Sequence, residues 1–90
     1  MASLPPDVHA TLTQLLSTAE RNVRDGETDA VADLVATVET VTKNKVPRSS
    51  LKERLLHGCA ELDGLVGDEP AVAAEYLRSM CQLVEATDRQ

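Results

Sequence analysis

Three residues of the sequence could bind a metal or take part in redox chemistry: His57, Cys59 and Cys81. Imidazole and thiolate are common zinc ligands, but structural zinc usually takes four ligands in closely spaced pairs. Here three ligands would come from two predicted helices, without a second short pair. Both cysteines lie on or beside apolar stripes, where free cysteine packs as a small hydrophobic side chain. We therefore expect a core role for Cys59 and Cys81 with no metal or other cofactor, and a metal or redox protein is kept as an alternative.

Catalytic arrangements are sparse in this sequence. His57 and Cys59 are two residues apart, and side chains at that spacing on a helix do not face each other. The carboxylate pair Asp29 and Asp33 is typical of a solvated acidic face, and His9 is expected on the solvated side of the first helix. No phosphate-binding glycine loop and no hydrolase or metalloprotease motif occurs. The sequence predicts no catalytic residue, and we expect that the protein is not an enzyme.

The most informative feature is a basic segment at residues 43–54, which contains a single acid, Glu53. Its five basic residues are Lys43, Lys45, Arg48, Lys52 and Arg54. One interpretation is a solvated loop whose lysines oppose the negative end of the second helix, and the other is a partner-binding patch at the start of the third helix. Single-stranded nucleic acid is usually bound by aromatic stacking, and Tyr76 is the only aromatic residue. An acidic protein is therefore favoured over RNA or DNA as the partner.

Four segments show the 3.6-residue spacing of apolar residues that predicts amphipathic helices. They cover residues 5–24, 28–43, 50–63 and 69–87. The second segment is rich in valine and threonine, which favour strands, but its apolar residues do not alternate. The links are about 3 to 7 residues long, and links this short favour antiparallel neighbours. The sequence predicts one all-α domain over residues 1–90, either a four-helix up-down bundle or two stacked antiparallel helical hairpins.

Local signals mark the predicted helix boundaries. Gly26 is placed to end the first helix in a left-handed conformation. Ser50 and Glu53 match a capping box at the start of the third helix, in which Ser50 accepts a hydrogen bond from the backbone of Glu53. Gly64 begins a glycine-containing stretch that predicts the end of the third helix, and Asp68 is the predicted N-cap of the fourth.

Composition and charge limit the class of protein. The 90 residues are 42% hydrophobic but include no phenylalanine, tryptophan or isoleucine, so leucine, valine and alanine must form the core. A formal net charge of −6 argues against a general nucleic-acid binder. No apolar run approaches the roughly 18 residues of a membrane span, and residues 1–7 lack the pattern of a signal peptide, so we expect a cytoplasmic protein. A core of this size leaves little surplus stability, and a homodimer would bury more apolar surface.

Four stretches carry a resemblance to known proteins: LPPDV at 4–8, TKNKVP at 42–47, LKERLLHGC at 51–59 and VAAEYL at 72–77. Together they resemble small uncharacterised helical proteins of halophilic archaea, a domain of unknown function. The acidic composition, with more arginine than lysine and no isoleucine, fits that source and also fits a high-GC bacterium. The resemblance implies a habitat and no activity.

The leading hypothesis is a small acidic cytoplasmic module for protein–protein interaction, which docks an unidentified protein partner and self-associates as a homodimer. The first alternative is a nucleic-acid-associated regulator whose basic segment 43–54 contacts phosphate. The second alternative is the metal or redox protein that would use His57, Cys59 and Cys81. No membrane partner is expected.

Overall fold

The computed structural model describes residues 3–89, and most of them lie in four α-helices. Helix α1 spans Pro6–Arg24, α2 spans Asp29–Lys45, α3 spans Ser50–Asp68 and α4 spans Pro70–Glu85. The predicted all-α fold and the predicted number of helices are confirmed.

A pair of two-residue strands joins the two ends of the described chain. Strand β1, Ser3–Leu4, runs parallel to strand β2, Asp88–Arg89. Leu4 is fully buried, so this pairing closes one end of the core. The fourth helix was predicted to continue to residue 87, whereas α4 ends at Glu85 and the chain turns into β2.

The helices form a closed ring. Helix α1 packs against α2 and α4, and α3 packs against the same two helices. The links are residues 25–28, residues 46–49 and Glu69 alone, so consecutive helices must run antiparallel. Arg24 at the end of α1 contacts Glu75 near the start of α4, so these two helices are antiparallel as well. The molecule is thus an up-down four-helix bundle of 35 × 19 × 19 Å, which is the first of the two predicted arrangements.

The core consists mainly of leucine and valine side chains, as the composition predicted. The largest fully buried residues are Leu4, Leu12, Leu16, Leu55, Leu62, Leu77, Val31, Val38, Val84 and Thr42. The hydroxyl of Thr42 donates a hydrogen bond of 2.7 Å to the carbonyl oxygen of Val38, so its polar atom is satisfied inside the core. All four helices contribute to this one core.

The end of α1 has the predicted glycine geometry. Gly26 has a φ of 81°, in the left-handed region that favours glycine. The N–H of Glu27 donates to the carbonyl oxygen of Asn22 at 2.8 Å, and the N–H of Gly26 donates to that of Val23 at 3.2 Å. These two bonds form a Schellman motif, which satisfies the last carbonyl groups of the helix.

The start of α3 differs from the predicted capping box by one residue. Ser49 is the N-cap, and its Oγ accepts a hydrogen bond of 3.2 Å from the backbone N–H of Lys52. The predicted cap, Ser50, is already the first residue of α3, so the predicted bond from Glu53 was wrong. The physical reason is that the Ser49 hydroxyl also donates to the carbonyl oxygen of Pro47 at 2.9 Å, which joins the cap to the preceding loop.

Helix α3 is longer than predicted. It continues through Gly64 to Asp68, because Leu65 and Val66 pack against the core and their burial outweighs the low helix propensity of glycine. Asp68 is therefore the last residue of α3 and not the N-cap of α4, which begins directly after Glu69.

Replacing Gly64 with alanine is expected to raise the free energy of unfolding by about 0.5–1 kcal/mol, because alanine loses less backbone entropy inside a helix. Gly64 is exposed, and a Cβ atom built on it meets no atom within 4 Å. Urea unfolding measures the change. Gly26→Ala is the control and should destabilise, since its φ is positive. A destabilising Gly64→Ala would mean that α3 ends at residue 63 with Gly64 as its cap.

Candidate functional site

The basic segment lies at the end of the bundle where α2 stops and α3 begins. Lys43, Lys45, Arg48 and Arg54 are exposed there, and Lys52 is half-buried. Both helices present their charged termini at this end, and a contact between Lys52 and Lys43 joins them, whereas Arg54 lies on the side of α3 that faces α4. We call the five residues the basic end.

Two members of the basic end interact locally. The Nζ of Lys43 lies 3.4 Å from Oε1 of Glu39 on the preceding turn. The Nζ of Lys52 donates to the carbonyl oxygen of Lys43 at 3.1 Å, which caps the negative end of α2. Lys45, Arg48 and Arg54 form no ion pair with any carboxylate that the structure describes. Lys43 and Lys52 thus fit the interpretation in which the segment interacts with the end of α2. The other three cations remain available to an external anion.

The opposite end of the α2–α3 hairpin is acidic. Residues 25–33 and 63–69 contain no basic residue and seven acidic ones: Asp25, Glu27, Asp29, Asp33, Asp63, Asp68 and Glu69. Helix α2 connects the two ends with 17 residues, which corresponds to about 25 Å at 1.5 Å per residue. The hairpin therefore carries the basic end at one extremity and these seven acidic residues, the acidic end, at the other.

A groove of about 730 Å³ runs between α3 and α4 on the outside of the bundle. We call it the α3–α4 groove, and its lining includes Arg54, Val72, Glu75, Tyr76, Ser79 and Leu83. Val72, Tyr76 and Leu83 follow one another at intervals of four and seven residues, so they lie on one face of α4. This is a second apolar face, beside the one that fills the core.

Gly58 explains how α4 sits against α3 at this groove. A Cβ atom at position 58 would lie 2.7 Å from the Sδ of Met80 and 3.2 Å from Cε1 of Tyr76. These side chains therefore occupy the space that a side chain at Gly58 would fill. The groove was not predicted from the sequence, although the spacing of Val72 and Leu83 could have indicated it.

Cys59 lies at a second groove, of about 580 Å³, between α2 and α3. Its Sγ is 3.9 Å from the carbonyl oxygen of Val35 on α2, and the side chain is buried. Burial, with a smaller effect from the negative charge of Glu39, raises the pKa of the Cys59 thiol to about 11. A thiol that stays protonated at neutral pH is a poor nucleophile and a poor metal ligand.

The three candidate metal or redox residues are not brought together. Cys81 points to α1, with its Sγ 3.7 Å from the carbonyl oxygen of Thr13, whereas Cys59 contacts α2. His57 is exposed, and its Nε2 lies 3.6 Å from Oε1 of Glu61. Within residues 3–89 no three His, Cys, Asp or Glu side chains form a group that could hold a metal ion. Both thiols are free; Cys59 is buried in the core, and Cys81 is partly buried against it.

His9 is buried, in contrast to its predicted position. It was expected on the solvated side of the first helix, but its side chain is only 9% exposed. Its Nε2 is buried and has no hydrogen-bond partner. His9 follows Val8 in the first turn of α1, at the end of the bundle that the pairing of β1 with β2 closes. An unsatisfied buried nitrogen of this kind costs about 1–3 kcal/mol.

Fold and charge together define a small acidic four-helix bundle with a basic end, an acidic end and an apolar groove along one side. The chain belongs to the family DUF8101, a domain of unknown function, whose family model matches residues 1–86. No curated protein and no solved structure matches the chain. The family membership confirms the part of the resemblance that predicted a domain of unknown function, and the halophilic source stays a prediction. Among the described helices, none has the length and apolar character to cross a membrane.

Proposed function

We propose that this chain is a protein–protein interaction module, not an enzyme, and that its basic end docks an acidic segment of another protein. The observation that carries the proposal is the pair of exposed cations Lys45 and Arg48 beside the α2–α3 link, which have no carboxylate partner among the described residues of an otherwise acidic bundle. A cluster of unpaired cations attracts an anionic partner and orients it before contact.

The state of the thiols and carboxylates supports a binding role over catalysis. A nucleophilic cysteine needs a thiolate and a base within hydrogen-bond reach, whereas burial raises the pKa of Cys59 to about 11. Burial and the neighbouring Glu85 carboxylate also raise the pKa of Cys81. Asp29 and Asp33 are exposed on α2, where water solvates them.

The distribution of aromatic and charged residues favours a protein partner over nucleic acid. Tyr76, the only aromatic residue, is half-buried against Gly58 in the α3–α4 groove, so it gives the basic end no stacking surface. The net charge of −6 repels a polyanion as a whole, while a short acidic peptide segment contacts the basic end alone. A cytoplasmic setting is part of the proposal, and the two unpaired thiols support it.

Charge reversal at the basic end is expected to abolish docking without unfolding the bundle. Lys45→Glu/Arg48→Glu places two acids on exposed positions that form no described ion pair, so the core is untouched. The tagged wild-type and variant proteins are used to capture partners from an extract of the host cells, and recovery of each partner is quantified by mass spectrometry. Recovery of the docked partner should fall at least about tenfold, because repulsion replaces attraction.

The matched control is Arg21→Glu/Arg78→Glu, which changes the net charge by the same amount at exposed positions on α1 and α4. A partner lost only with Lys45→Glu/Arg48→Glu identifies the docking surface. Equal recovery with both double variants would overturn the assignment to the basic end. Recovery that disappears after nuclease treatment would mean that the basic end binds nucleic acid instead, with steep weakening as salt rises.

A further inference from the structure

The α3–α4 groove exposes apolar surface that the bundle itself does not cover. Val72 is 45% exposed, the largest exposed fraction of any large hydrophobic side chain that the structure describes. Tyr76 and Leu83 are half-buried beside it, and Ser79 is exposed between them. A small residue in the middle of an apolar helix face allows another helix to approach closely.

We infer that the α3–α4 groove is occupied by a second copy of this chain, in an antiparallel dimer with a two-fold axis beside Ser79. In a two-fold interface, a residue that contacts a second residue of the other copy is matched by the same contact with the copies exchanged. The surface must therefore be complementary to itself. Ser79 lies midway between Tyr76 and Leu83 along α4. An axis at that point therefore sets Tyr76 of each copy opposite Leu83 of the other copy.

The charged residues beside the groove are also arranged so that opposite charges meet across this axis. Gly58 of α3 lies level with Met80 of α4, so Arg54, one turn earlier in α3, lies level with position 84. Arg54 and Glu75 both line the groove and are thus about equally distant from Ser79, on opposite sides of it. The two-fold axis places Arg54 of each copy over Glu75 of the other.

The antiparallel direction follows from the same two charges. An antiparallel pair sets Arg54 of each copy against Glu75 of the other, whereas a parallel pair would set each of these charges against its own counterpart. The side chain of Glu75 is 69% exposed, so its carboxylate remains accessible to a second cation beside Arg24, which lies 3.2 Å away. A partner helix of one charge sign would be repelled at either Arg54 or Glu75, and a second copy is not.

The dimer is tested by analytical ultracentrifugation of the full chain at high micromolar concentration. Ser79→Arg places a cation against itself at the two-fold axis and should weaken dimerisation at least about tenfold. Ser17→Arg is the matched control, since Ser17 is exposed on α1 outside the groove, and it should leave the dimer unchanged. A monomeric wild-type protein, or equal dimerisation of both variants, would overturn the inference.

Charge exchange tests the antiparallel register. Arg54→Glu and Glu75→Arg should each weaken the dimer about threefold to tenfold, and the double variant should recover most of the loss, because the reversed pair attracts again. Additive weakening in the double variant would overturn the proposed pairing. Lys45 and Arg48 lie outside this interface, so Lys45→Glu/Arg48→Glu should still dimerise while it loses docking. Failure of the dimer and failure of the proposed function are therefore distinguishable.

Discussion

Leu77→Ala is expected to lower the free energy of unfolding by about 3 kcal/mol, because the substitution removes buried methyl groups and leaves a cavity in the core. Leu77 is 0% exposed and lies in the middle of α4. A domain of 90 residues has a total stability of only about 5–10 kcal/mol, so this loss shifts the urea midpoint strongly. Urea unfolding followed by circular dichroism gives the measurement.

Leu34→Ala is the matched control, since it makes the same chemical change on α2 at a half-buried position. Its cost is expected to stay near 1 kcal/mol, because the smaller side chain leaves no enclosed cavity. Should Leu77→Ala fail to fold, Leu77→Val removes a single methylene and is expected to cost about 1 kcal/mol. Equal losses for Leu77→Ala and Leu34→Ala would contradict the packing of α4 described above.

The number and limits of the helices could largely be predicted from the sequence, because apolar spacing and strong local breakers agree there. Gly26 shows this best: the residue type, the Schellman bonds and the positive φ all mark one helix end. Pro70 begins α4 where proline is favoured, in the first turn. At these two positions the signal depends on the backbone within a few residues, and tertiary packing does not override it.

The sequence predicted poorly where packing between distant segments decides the outcome. The local sequence at Gly64 predicts a helix end, but burial of Leu65 and Val66 extends α3 beyond it. His9 was predicted to be solvated, but it is buried at the end of the bundle that β1 and β2 close. In both cases the deciding contacts join residues far apart in the chain, and single-sequence periodicity carries no information about them.

The two candidate surfaces also differ in how far the sequence could predict them. The basic end follows from the sequence alone, since Lys45 and Arg48 flank a predicted link and must share one end of an antiparallel hairpin. The contact of Lys52 with the carbonyl oxygen of Lys43 could not be predicted, because it depends on how α2 and α3 pack. The α3–α4 groove depends on the contact of Met80 with Gly58, which is set by the register of two helices.

Cys59 is expected to react with a thiol reagent at least about 100-fold more slowly in the folded protein than in the unfolded chain at pH 8. The thiolate is the reacting form, and each unit by which the pKa rises lowers its fraction about tenfold near neutral pH. Folding raises the pKa of Cys59 from 9.0 to about 11, and the 3% exposure of the side chain slows access further. Cys81 is half-buried and should react first.

The variants Cys81→Ser and Cys59→Ser separate the two rates, which are followed by mass spectrometry of the labelled protein. The raised pKa also predicts that Cys59 contributes stability below pH 9 that is lost as the pH rises towards 11, because the unfolded thiol ionises first. Wild type should therefore lose more stability than Cys59→Ala across that window. Labelling of Cys59 as fast as Cys81 in the folded protein would mean that α2 and α3 separate readily, since Cys59 reaches solvent only where those two helices meet.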